Sequence, residues 1–236
     1  MVRILVIQHE DSVGIDKFGR WLEEAGAELV MLRPDRGDAI PENLAGYQGM
    51  VVLGGTAGPE DDEQWEWLPA VRALQRTAAA EESPAFNICL GAQLSAVAHD
   101  TEVFRRSIPQ IGVMELIRRP EAADDPVFSV LPQRPKAVLW HQEQIAAVPE
   151  GAVHLVEGTD APVQAFRVGS SFWSVQFHPE PDAHTVQRWA EGTAELVEKA
   201  GRTPADVIRE YDAEASGIEA TFRPLAAAFV NYASSR

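Results

Sequence analysis

The chain is poor in cysteine, in basic charge and in long apolar runs, and each shortage closes off a class of protein. Cys89 is the single cysteine among 236 residues. No disulfide can form within the chain, so nothing in it reads as a secreted disulfide framework. Lysine and arginine number 20 against 36 aspartates and glutamates, a formal net charge of −16. A field of that sign repels phosphate backbones and anionic lipid, so neither nucleic acid nor a membrane is expected as a partner. Arg105-Arg106 and Arg118-Arg119 are the only basic doublets, and both read as solvated faces. The apolar run at residues 2–8 is too short to cross a membrane and lacks a signal-peptide cleavage pattern, so a cytoplasmic location is expected. Gly54-Gly55 is followed by no Gly-Lys-Ser/Thr and is not a phosphate loop. His9-Glu10-Asp11 are adjacent residues without the facial geometry of a metal site, and Glu60-Asp61-Asp62-Glu63 reads as a solvated loop. No cofactor and no metal are expected.

What is present alternates. Residues 2–8 form a short β-branched run of the kind buried on both sheet faces. Phe18, Trp21, Leu22 and Ala25 then share a helical stripe that stops at Gly26. Strand-like runs follow at 28–33, 49–53 and 85–88, with helical spacing of Val71, Leu74 and Ala78 at 68–82 and another helix at 91–99. That rhythm predicts an α/β fold, an open and mostly parallel sheet flanked by helices. Between residues 103 and 175 the runs are short and β-like (112–117, 137–140, 153–157, 163–167 and 172–177), with a brief helix at 125–131. Val168-Gly169-Ser170-Ser171 is a hairpin signal. From Asp182 the pattern is helical to the end, with breaks near Gly201–Pro204 and at Gly217.

Asn87-Ile88-Cys89-Leu90-Gly91-Ala92-Gln93 passes from strand to helix, the setting of a nucleophile elbow. A cysteine there is pushed out above a strand's carboxyl end and sits at a helix N-terminus, which favours the thiolate. An isolated cysteine is also a common buried hydrophobe, and the turn alone leaves the two readings even. Trp173-Ser174-Val175-Gln176-Phe177-His178-Pro179-Glu180 ends an apolar strand in His-Pro-Glu. Residues two apart on extended chain point the same way, and Pro179 favours extended backbone on both sides, so His178 and Glu180 can project together. A thiol needs a base, and an imidazole base needs an acceptor on its other nitrogen. An ordinary polar strand end reads the same, so this motif alone says little.

Together the two motifs resemble the Cys-x-Gly-x-Gln and closing-strand motifs of class I, triad-type glutamine amidotransferases. The likeness runs from Met1 to about Glu180. The acidic loop, the Ile111-Gly112 strand, Trp140-His141 and the helical tail resemble the stand-alone branch similar to the glutaminase domain of GMP synthase. The resemblance implies a flavodoxin-like glutamine amidotransferase domain over residues 1–190, with a helical extension over 191–236 packed on it. It implies that Cys89 attacks the side-chain amide of L-glutamine, that His178 takes the thiol proton and that Glu180 orients the imidazole. It places the oxyanion donors on the backbone N–H groups of Gly55 and Leu90, and substrate contacts on Gly54, Gln93, His141 and Gln142. Three positions depart from the family pattern: Asn87 replaces glycine and either crowds the elbow or adds a hydrogen bond, Glu143 replaces aspartate, and Thr56 replaces proline.

The implied activity releases glutamate and ammonia by way of a γ-glutamyl thioester. The stretch after Glu180 is too short for an ATP-dependent synthase domain, so the implied partner is a separate synthase subunit that receives the ammonia. The helical tail either caps the sheet or forms a contact in a homo-oligomer. Two other readings use the same residues. One is a γ-glutamyl peptidase or hydrolase that acts on γ-glutamyl amides or peptides. The other is a non-catalytic regulatory homologue.

Overall fold

A computed structural model describes residues 2–236. In chain order it contains β1 (Val2–Ile7), α1 (Asp16–Glu24), β2 (Ala27–Leu32), β3 (Gly49–Val52), α2 (Leu68–Ala80), β4 (Ala85–Ile88), α3 (Leu90–Ala98), β5 (Val103–Glu115), β6 (Ile117–Arg118), β7 (Lys136–Ile145), β8 (Val153–Glu157), β9 (Ala165–Val168), β10 (Phe172–Val175), α4 (Ala183–Gly192), α5 (Ala194–Lys199) and α6 (Pro204–Ser234). The main sheet has the order β2-β1-β3-β4-β10-β9-β8-β6. Its first five strands are parallel and the last three add on antiparallel, as expected of a mostly parallel sheet.

The apolar run of β1 is continuous because both faces of the sheet are covered. Ile4 and Val6 join one core cluster and Leu5 and Ile7 join the other. The second cluster packs Val71 and Leu74 of α2 and Leu94 of α3 against the sheet. The first holds Phe18 and Leu22 of α1 and much of the tail. Val207, Tyr211, Ile218, Phe222, Leu225 and Phe229 of α6 are buried at helical spacing. Phe222 stacks on Phe177 at 5.3 Å, and Phe229 meets Phe86 at 5.7 Å. Each such aromatic adds about 1.5–3 kcal/mol when fully buried, so the tail shares the main core.

Three local expectations change. Gly217 does not break the tail, because α6 runs through it. Glycine inside a helix costs only about 1 kcal/mol relative to alanine, and the buried face of Tyr211, Ile218 and Phe222 offsets it. The helix expected at 125–131 shrinks to one 3-10 turn, Phe128–Val130. Asp125 accepts the N–H groups of Val127 and Phe128 and also pairs with Arg167 at 2.6 Å. The strand expected at 112–117 begins at Val103 and pairs with β7 in a separate two-stranded ribbon. Its register shifts between Arg105 and Gln110, which erases the alternation that marks a strand.

Candidate active site

The carboxyl ends of β3, β4 and β10 meet at one place. Cys89 follows β4 with φ 49° and ψ −105°, a conformation a side chain rarely adopts, and so sits on a strained turn. Its N–H donates to Val175 O at 2.8 Å, which ties the turn to the end of β10. Gly91 shows why the turn needs glycine two residues later: a Cβ there would lie 2.4 Å from Val52 O. The Cys89 sulfur is 3.9 Å from Trp140 O and 3.8 Å from Gln176 Nε2.

After β10 the chain does not continue as a strand: it bends at Gln176, Phe177 and Pro179, with His178 in an isolated bridge to Val138. His178 N–H donates to Val138 O at 2.8 Å, and Lys17 N–H donates to Glu180 O at 3.0 Å. Held at both points, His178 and Glu180 lie on one side, and His178 Nδ1 is 2.5 Å from Glu180 Oε1. Both side chains are buried. Burial pushes the imidazolium down, but the Glu180 carboxylate and the Cys89 sulfur more than offset it and hold His178 well above its ordinary 6.5. His178 Nε2 is buried without a hydrogen-bond partner among the described residues.

His141, the other histidine of the cleft, differs. Burial pushes it from 6.5 down to about 3, so it is neutral. Its Nδ1 is 2.8 Å from Glu143 O, which places the ring proton on Nδ1 and leaves Nε2 a buried acceptor with no partner among the described residues. It has no carboxylate partner of the kind that serves His178.

Both histidines line a cleft of about 440 Å³, together with Cys89, Gly55, Gln93 and Gln142. Gln93, one turn along α3, donates to Glu143 O at 3.1 Å. A Cβ on Gly55 would lie 2.8 Å from the Leu90 side chain, and one on Gly54 would lie 3.1 Å from His178 and 3.5 Å from Cys89. These glycines therefore bring the end of β3 against the Cys89 turn. Leu90 opens α3, where an N–H has no partner within the helix. Gly54 and Leu90 adjoin Cys89 without lining the cleft itself.

The departures resolve in place. Asn87 is buried and does not crowd the cleft. It donates to Trp173 O at 2.8 Å and accepts from Gln75 at 2.9 Å, linking β4, β10 and α2. The Glu143 carboxylate pairs with Arg105 at 2.7 Å, and Arg105 also donates to Gln142. Arg105 stays exposed, as a solvated face should, and also borders the cleft. Thr56 takes its N–H and hydroxyl to the Glu10 carboxylate at 2.9 and 3.0 Å, which anchors the loop after β3. His9 is buried, accepts from Trp67 Nε1 and is pushed down to about 4 by burial.

Sequence reasoning missed Val13, Arg105, Trp189 and Leu196, which also line the cleft. It missed the contact of Gln176 with the sulfur, because the chain bends at Gln176 just after β10 and strand alternation no longer reports which way the side chain faces. Among the described residues no cluster of three or more metal-ligating side chains occurs, and no helix is long and apolar enough to cross a membrane.

A family model described as glutamine amidotransferase class-I matches residues 14–188. The chain is 29% identical over 179 residues to a glutamine-hydrolysing GMP synthase subunit of Thermoplasma volcanium, covering 72% of this chain and 83% of that protein. It is 27% identical over 208 residues to aminodeoxychorismate synthase of Streptomyces griseus, covering 86% of this chain but only 27% of that protein's length. A solved glutamine amidotransferase from Methylobacillus flagellatus superposes with a TM-score of 0.86 at 26% identity, covering 98% of this chain and 95% of that one. One from Thermotoga maritima, at 23% identity, shares the fold with a TM-score of 0.86 over 97% of this chain and 98% of its own.

Proposed function

The chain belongs to the class-I glutamine amidotransferase family, and from that membership we propose that it hydrolyses γ-glutamyl amides through Cys89, His178 and Glu180. L-Glutamine, giving glutamate and ammonia, is the parent substrate. The observation that carries the reading is the buried His178–Glu180 pair at 2.5 Å beside a cysteine on a strained strand-to-helix turn.

The roles follow from the chemistry. The Cys89 thiolate attacks the γ-carbonyl carbon while His178 holds the proton it has taken. Glu180 fixes the imidazole through Nδ1 and stabilises its charged form, leaving Nε2 to face sulfur and substrate. The N–H groups of Gly55 and Leu90 receive the developing oxyanion. His178 then protonates the departing nitrogen, and water hydrolyses the thioester. Gly54 allows the close approach of β3 to this centre. Gln93, Gln142 and the neutral acceptor of His141 contact the amino-acid end of the substrate. Arg105 and Glu143 offer that end one charge of each sign.

Two relatives carry the names of synthases, which supports a synthase partner as the recipient of ammonia when glutamine is the substrate. The buried His178–Glu180 pair beside Cys89 argues against a non-catalytic homologue. The test is glutamate release by the purified chain from glutamine and from γ-glutamyl amides, with Cys89→Ala alongside. Release by the wild type and none by the variant is expected. Equal release by both would remove Cys89 from the mechanism.

A further inference from the structure

The triad accounts for only part of the cleft. Trp189 of α4 lies with its ring centroid 4.9 Å from that of His178, at 66°. Trp140 continues the surface 5.6 Å from Trp189, and Val13 and Leu196 extend it. Both indoles have their polar atom engaged elsewhere: Trp189 Nε1 donates to Ser12 O at 2.8 Å, and Trp140 Nε1 donates to Thr193 Oγ1 at 3.3 Å. What they turn toward a ligand is carbon. We propose that this aromatic wall is a leaving-group subsite, and that the chain prefers γ-glutamyl amides whose nitrogen carries an apolar, ring-sized substituent over glutamine itself.

The inference rests on the triad reading and adds the identity of the leaving group. His178 must deliver a proton to the departing nitrogen, so any substituent on that nitrogen lies beside the imidazole. Trp189 is the residue found there. Ammonia has no carbon to bury and gains nothing from such a wall, whereas an aryl or arylalkyl group does. The cleft, at about 440 Å³, falls in the range of roughly 300–1,000 Å³ that takes drug-sized ligands. Trp189, Thr193 and Leu196 also lie beyond residues 14–188, the stretch that matches the family model. Of the four wall residues, Trp189 and Leu196 thus follow the matched stretch, Val13 precedes it and Trp140 lies within it.

The reaction balances without a further reagent. The Cys89 sulfur forms a bond to the γ-carbonyl carbon, and its proton passes to His178. The carbon–nitrogen bond breaks as His178 returns that proton to nitrogen, releasing the primary amine. Water adds to the thioester and gives its proton to His178. The carbon–sulfur bond then breaks, leaving glutamate and the thiol. The net change is amide plus water to carboxylate plus ammonium.

The test compares kcat/KM of the whole purified chain on L-glutamine, γ-L-glutamyl-ethylamide and γ-L-glutamyl-benzylamide, read as glutamate released. The expected order is benzylamide, ethylamide, glutamine. One methylene in an apolar pocket is worth about tenfold or more, so benzylamide is expected to exceed glutamine by at least that factor. Trp189→Ala and, separately, Leu196→Asp are expected to lower the benzylamide-to-glutamine ratio about tenfold. With release abolished in Cys89→Ala, a wild-type ratio at or below one overturns the subsite and leaves the triad standing. That result would fit a wall that serves instead as an ammonia exit toward a partner. Release that persists in Cys89→Ala overturns the triad and the subsite together, as does a folded wild type that cleaves none of the three.

Discussion

The two histidines of the cleft are both buried, yet their surroundings drive them in opposite directions. His178 faces a buried carboxylate at 2.5 Å and is held well above 6.5. His141 faces a backbone carbonyl at 2.8 Å and is pushed down to about 3. Burial acts on both to disfavour the charged ring, and what decides the outcome is whether the partner carries a full negative charge or a dipole. A site that must move a proton and also bind a substrate can use both: one imidazole that takes charge easily and one that stays neutral and accepts a hydrogen bond.

Replacing each ring separates the two. His178→Asn is expected to lower kcat/KM about a thousandfold, within the range of lost general acid–base catalysis. His141→Asn is expected to lose about tenfold, the scale of one substrate hydrogen bond. Comparable losses in steady-state assays of the two variants would break the distinction. Glu180→Gln keeps the shape of the carboxylate and removes its charge. Its expected loss is about 10²–10⁴-fold in kcat, and the His178 ring, followed by NMR titration, should move to lower pKa.

The same contrast sets opposite limbs of stability against pH. For His178 the folded value is raised, so its contribution is fully present below 6.5 and is lost as pH rises through the raised value. For His141 the folded value is lowered, so the unfolded chain takes up a proton first and stability falls as pH drops from 6.5 toward about 3. Each limb has a slope of at most about 1.4 kcal/mol per pH unit. Urea unfolding across pH should show Glu180→Gln flattening the alkaline limb and His141→Asn flattening the acid one. The smallest effect on activity is expected from Asn87→Gly, which removes a buried bridge outside the cleft. It should cost about 1–3 kcal/mol of stability by leaving one amide N–H of Gln75 unpaired while its bond to Gly91 O remains, with kcat/KM within about twofold of wild type. A far larger fall in kcat/KM would show that the elbow depends on that bridge.

The sheet was legible where burial on both faces leaves a continuous apolar run, as in β1 and β4. The strained turn at Cys89 was legible because a strand, a cysteine and a close-packed glycine fall within five residues. The His178–Glu180 pair was legible because the two residues are only two apart in the chain, though the backbone between them bends at Pro179 instead of running extended. Trp189 and Leu196 were hidden, since a tryptophan on a helical stripe reads as core until tertiary packing turns it toward His178. Arg105 was hidden for the related reason that its partners, Gln142 and Glu143, lie on another strand. Gly217 misled in the other direction, because burial of α6 outweighs a local propensity.

The most direct measurement of the central claim is a mass determination of the Cys89 peptide after acid quench during turnover of a γ-glutamyl amide. The account predicts a γ-glutamyl adduct on Cys89 in the wild type, and one that accumulates in a variant such as Glu180→Gln if water attack slows more than acylation. Continued glutamate release with no adduct at Cys89, matched by undiminished release from Cys89→Ala, would contradict it.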